Sequence, residues 1–141
     1  AAMISYKTGG VEMPPIDQAR VSAWVRQVAE RYGKKVGDIT FIFVSDEEIL
    51  RINREYIQHD YYTDHIGFDY SSGNMLSGDV FIGVETVASN AELIGETYRR
   101  ELHRVIIHGV LHLCGIEDKT PELRMQMEAA ENAALALAVW L

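Results

Sequence analysis

Asp38-Ile-Thr-Phe-Ile-Phe-Val44 is an almost unbroken run of β-branched and aromatic residues. Such a run reads as a strand buried inside a sheet, so the segments on either side of it must supply its cover. Upstream, residues 3–8 read as a short strand ended by Gly9-Gly10. After Pro14-Pro15, the apolar positions Ile16, Ala19, Ala23, Val25 and Val28 fit a helix that Gly33 closes. Strand, helix and strand in that order imply a right-handed parallel crossover.

Downstream, Ser45 with Glu48 makes a capping box that opens a helix through Ile49, Leu50 and Ile52 to about Tyr56. Residues 57–62 read as a loop. Residues 63–70 and 79–83 are the next strands, and the turn-rich Ser71-Ser72-Gly73-Asn74 between them predicts an antiparallel pair. Two helices follow, over residues 84 to about 94 and 96–114. Thr120-Pro121 then supplies an N-cap and a first-turn proline for a last helix rich in Ala, Leu and Met. The expected class is α+β: one domain over residues 1–141, with a small mixed four-stranded sheet and about five helices. Ala1 and Ala2, ahead of Met3, are expected to lie outside that fold.

Composition narrows the function classes. The chain has 13 Lys+Arg against 21 Asp+Glu, a formal charge of -8, which excludes a surface that is basic throughout but not a local basic groove. Its single cysteine, Cys114, permits no internal disulfide and suits a reducing compartment. The longest apolar run, residues 133–141, is far below the roughly 20 residues a membrane span needs. The expectation is a cytoplasmic protein without a membrane partner.

The chemistry sits in His108-Gly-Val-Leu-His112-Leu-Cys-Gly115-Ile-Glu-Asp118. Histidines at i and i+4 of a helix differ by about 40° in direction and about 6 Å in rise, so both imidazoles can reach one ion. Ordinary half-buried histidines share that spacing; the glycine and the acid set this pair apart. Gly115 can end the helix in the left-handed conformation and turn the chain so that Asp118 returns as a third ligand. That puts a metal site at a helix C-terminal end, in a cleft. Three protein ligands leave one position open, and His and carboxylate donors suit Zn²⁺, with other divalent transition metals as alternatives. His108 and His112 would then act through the water that the ion activates. The spacing nearly matches the long zinc motif of metzincin proteases, but Gly109 stands where their general-base glutamate would be, which disfavours a peptidase.

This stretch resembles the hallmark HGxLHLxGxDH of the YbeY family of bacterial metal-dependent endoribonucleases. Asn53-Arg-Glu-Tyr56, Thr63-Asp64, Gly78-Asp79-Val80, Glu85-Thr86-Val87 and Arg100-Glu101-Leu102 also fall where that family's pattern puts them. The resemblance implies a zinc site in a cleft, cleavage of single-stranded RNA, 16S rRNA 3′ end maturation and ribosome quality control. The implied partners are rRNA and the small ribosomal subunit or its proteins. Two positions depart from the pattern: Asp118 replaces the family's third histidine, and Ile57 replaces an arginine thought to hold phosphate. Arg54, Arg104 and Lys119, and behind them Arg51, Arg99 and Arg100, are the candidates to replace that arginine. Asp64, Asp69, Asp79 and Glu117 are candidates to orient a histidine or act as base. His59 and His65 flank the start of a strand near the cleft, but strand alternation sends Asp64 and His65 to opposite faces. Two other readings are an assembly factor with a structural metal and a small-molecule metallohydrolase.

Overall fold

The computed structural model describes residues 2–57 and 63–141. In chain order these form β1 (Ile4–Gly9), α1 (Gln18–Arg31), β2 (Lys35–Val44), α2 (Asp46–Ile52), a π-helical turn (Asn53–Ile57), β3 (His65–Asp69), β4 (Met75–Gly83), α3 (Val84–Ile94), α4 (Tyr98–Leu113) and α5 (Pro121–Leu137). The sheet order is β1-β2-β4-β3. β2 runs parallel to both β1 and β4, and β3 pairs antiparallel with β4, as the turn residues predict.

Partner strands explain where the element ends differ from the sequence reading. β2 starts at Lys35 rather than residue 38, and β4 at Met75 rather than residue 79, because Lys35 and Val36 pair with Met75 and Leu76. Pairing and packing override weak local preference there. β3 starts at His65, leaving Thr63 and Asp64 ahead of the strand. The helix expected to reach Tyr56 ends at Ile52 and continues as the π-helical turn, which takes in Ile57. The remainder of the expected loop, with His59, lies outside the described residues.

β2 is covered on both faces, which accounts for its apolar run. Ile39, Phe41 and Phe43 join Val80 and Ile82 of β4 under α1 and α4, while Ile42 and Val44 face the smaller cluster of Ile49, Ile52, Ile66, Phe68 and Phe81 around α2. α4 is the central helix and buries most of its length, with Leu102, Val105, Ile106, Ile107, Val110, Leu111 and Leu113 in the core. α5 closes the layer. Its Met127, Ala134 and Leu135 are buried, and the Trp24 indole N–H of α1 donates to the Ala134 carbonyl at 2.8 Å.

The approach of α4 to β4 requires two glycines. A Cβ at Gly109 would stand 2.7 Å from Val80 Cγ1, and one at Gly78 would stand 2.5 Å from the Phe68 carbonyl oxygen and 3.0 Å from Leu113. A Cβ at Gly67, on the exposed edge strand, would meet nothing. Gly78→Ala should therefore cost about 1–3 kcal/mol and lower Tm by on the order of 5–10 °C. Gly67→Ala should leave Tm nearly unchanged, and thermal unfolding of the pair checks the difference.

Candidate metal centre

α4 carries His108 and His112 on one flank, and its end is shaped to return the chain to them. Gly115 has φ +99° and closes the helix, the Gly115 N–H donating to the His112 carbonyl at 2.9 Å and the Ile116 N–H to the Leu111 carbonyl at 3.1 Å. This paired arrangement satisfies the last carbonyls and reverses the chain. Asp118 comes back as the sequence predicts, its Oδ2 lying 3.4 Å from His108 Nε2 and 3.3 Å from His112 Nε2. Ligands about 2.0–2.1 Å from a tetrahedral ion stand about 3.3 Å apart, so these spacings suit neighbouring corners of such a site.

The sequence sets His65 near the cleft but does not join it to the helix pair. His65, the first residue of β3, lies against both helix histidines: its ring centroid is 4.4 Å from that of His108 and 5.9 Å from that of His112. One ring nitrogen from each of His65, His108 and His112 falls within 4.8 Å of the others. Asp64 and His65 do not part to opposite faces, because Asp64 precedes the strand and is free to turn toward its neighbour. Its Oδ1 lies 2.8 Å from His65 Nδ1. On α5, Glu131 Oε2 lies 2.6 Å from His108 Nδ1. Each carboxylate holds the proton on Nδ1 and so favours the tautomer whose Nε2 carries the lone pair. His108 Nε2 is buried and makes no hydrogen bond. A buried, orphaned imidazole nitrogen among two further histidines and a carboxylate is a donor set that fits a divalent transition-metal ion.

Electrostatics divide the three rings. Burial disfavours the charged form of His108, but Glu131, Asp118 and Asp64 outweigh it and hold its pKa above the ordinary value. At His112 burial and the neighbouring His108 prevail over Asp118, and the pKa falls. Burial raises Asp64, yet its bond to His65 and the charges of His65 and His108 together outweigh this and hold the carboxyl below its usual range. Burial, with the nearby acids Asp64, Glu131 and Glu96, raises Glu101 against the pull of Arg104.

The remaining candidates scatter. Lys119, Glu117 and Ile57 line a cavity of about 680 Å³ that opens onto His65 and His112. Arg54 lines a separate depression beside Gly9, Ser45 and Glu47. The Arg104 guanidinium contacts Glu101, Glu131 and Asn132, Arg51 pairs with Glu48 and Glu55, Arg100 with Glu96, and Arg99 donates to the Trp140 carbonyl. Asp69 accepts from the Ser71 N–H in the turn, while Asp79 lines a groove with Phe68 and Phe81 on the other sheet face. Burial pushes the Cys114 thiol up to about 11, so it is no reactive thiolate near neutral pH.

The sequence model of the family described as Endoribonuclease YbeY matches residues 8–138. The chain belongs to the YbeY endoribonuclease family. Membership makes it a hydrolase of the endoribonuclease class. A Phocaeicola vulgatus relative named Endoribonuclease YbeY is 61% identical over 135 residues, covering 96% of this chain and 98% of that one. A Porphyromonas gingivalis relative of the same name is 47% identical over 136 residues, covering 96% and 90%. The solution structure of a Thermotoga maritima protein aligns with TM-score 0.67 at 24% identity over 95% of this chain and 90% of that one, a likeness of fold. In the YbeY pattern the third histidine follows the helix; here Asp118 occupies that place and a histidine from β3 joins the cluster. Among the described residues no helix is long and apolar enough to cross a membrane.

His103 lies on α4 away from the cluster, as its helical position predicts, buried between Trp24 and Trp140. Burial lowers its pKa from the ordinary 6.5. The unfolded chain therefore binds this proton first, and stability falls as pH drops through about 6.5 toward the lower folded value. His103→Phe keeps an aromatic ring and removes that proton site. Urea midpoints measured from pH 7 to pH 5 should fall less steeply for His103→Phe than for wild type.

Proposed function

We propose that this chain is a metal-dependent endoribonuclease whose ion, Zn²⁺ by the chemistry of the donors, is held by His65, His108 and His112 with Asp118 at the fourth corner or beside it. The observation that carries the reading is the convergence of three histidine nitrogens within 4.8 Å, one of them buried and without a hydrogen bond. A divalent ion supplies Lewis acidity toward a phosphoryl oxygen and a water acidic enough to attack near neutral pH. The chain's own groups do the rest. Asp64 and Glu131 hold two rings in one tautomer, and Lys119 offers its ammonium at the mouth of the cavity.

The proposed substrate is single-stranded rRNA, with 16S rRNA 3′ end maturation and ribosome quality control in the cytoplasm as its setting, carried by the family resemblance. Charge supports a need for the small subunit or its proteins. The chain is acidic at -8, Ile57 stands at the family's arginine position, and Arg104 is engaged by two carboxylates. Besides the ion, Lys119 and Arg124 are the cations among the described residues that line the cavities at the cluster without a carboxylate pairing like that of Arg104, so binding to free RNA should be weak and should decline steeply with salt.

One observation favours a second reading, an assembly factor with a structural metal. If Asp118 binds the ion together with the three histidines, all four positions belong to the protein, and closed four-ligand sites are structural. Metal content and cleavage of single-stranded rRNA separate the readings. The endoribonuclease reading predicts one ion per chain and cleavage reduced at least about 100-fold in His112→Ala and in His65→Ala, the loss of several kcal/mol of charge stabilisation. A stoichiometric ion with intact RNA would favour the structural reading. Equal cleavage by wild type and His112→Ala would contradict the proposed site.

A further inference from the structure

The acid that orients His108 comes from the last helix, and its two oxygens are shared between two partners. Glu131 Oε2 lies 2.6 Å from His108 Nδ1, while Oε1 receives Arg104 Nη1 at 3.0 Å. The same Arg104 nitrogen reaches Asn132 Oδ1 at 3.2 Å, and Arg104 Nε lies 3.5 Å from Glu101 Oε1. Glu131 is 8% exposed on a helix face whose neighbours one turn away, Met127, Ala134 and Leu135, are core residues. Three residues beyond it, the Ala134 carbonyl is pinned by Trp24. An acid on an apolar stripe would be costly without partners. Here both oxygens are used, one by a cation and one by the imidazole, and the carboxylate cannot rotate without losing both.

We propose that Glu131 is a positioning residue of the metal centre, held by Arg104 so that it fixes the tautomer and ring direction of His108, and that α5 is therefore part of the site. The inference rests on the reading of the histidine cluster as a metal site. A carboxylate behind a ligating histidine raises the ligand's basicity and removes the freedom it would lose on binding, and losing such a partner weakens metal affinity about 10- to 100-fold. Glu131 touches no reacting atom, so its effect shows first in the metal.

The test is zinc affinity by competition with a chromophoric chelator, with the visible spectrum of the Co²⁺-loaded protein as a second readout. Glu131→Leu keeps an apolar helix face and removes both acceptors. It should bind zinc about 10- to 100-fold more weakly and shift the Co²⁺ bands as the His108 ring is released. Glu131→Gln retains one acceptor for Nδ1–H and should recover part of the loss; it also serves if the leucine variant fails to fold. Glu128→Gln removes the same charge from an exposed position on α5 and should match wild type. Zinc affinity and Co²⁺ bands unchanged in Glu131→Leu, with wild type binding one ion, would overturn this inference alone. Equal losses in Glu128→Gln and Glu131→Gln would overturn it in favour of a general charge effect. A wild type that binds no ion would overturn the metal reading and this inference with it.

Discussion

At Gly109 a methyl group would stand 2.7 Å from Val80 Cγ1, so the backbone of α4 packs directly on the Val80 side chain of β4. That approach sets the depth of the helix over the sheet, and with it the distance from His108 and His112 to the first residue of β3. Leu113 reaches the space left by Gly78 one helical turn further on. Had either position carried a side chain, the helix would stand off the sheet, and imidazoles that now sit 4.4 Å apart between His65 and His108 would not share an ion. Packing density in the core is in this sense the first determinant of the chemistry, because a close-packed interior transmits a displacement of an ångström to the site it supports.

Around that seam the acids are arranged behind the ligands. Asp64 and Glu131 each occupy the outer nitrogen of a histidine, so much of their negative charge is engaged by imidazole N–H groups and arginine. Asp118 alone faces the two ring nitrogens of α4. This distribution reconciles an acidic molecule with work on a polyanion: a divalent cation ringed by neutral imidazoles keeps much of its positive field, whereas a cage of carboxylates would cancel it. It also explains why Arg104, which the sequence offers as a phosphate contact, sits inward, held between Glu101 and Glu131.

Much of this is legible in the sequence. The helix pair, the helix-ending Gly115 and the return of Asp118 follow from spacing and backbone preference within eleven residues, and the structure brings these groups together as read. His65 is not tied to the helix pair there because it stands 43 positions before His108, and only the register of β3 on β4 beneath α4 joins them. The alternation rule also misassigned Asp64, since it holds inside a strand and β3 begins one residue later. Glu131 did leave a signal: an acid four residues after Met127 on the buried stripe of α5 breaks the pattern of an amphipathic helix. What the sequence could not supply was its partner, which lies on another helix 23 residues away. The early starts of β2 and β4 have the same origin in pairing between distant segments.

The central claim is that the ion's third histidine comes from the sheet, at His65. The most direct measurement is the anomalous diffraction of zinc in crystals of the metal-loaded protein. The account predicts one peak, about 2.0–2.1 Å from a ring nitrogen of each of His65, His108 and His112. An ion bound by His108, His112 and Asp118 with the His65 ring outside coordination distance would contradict it.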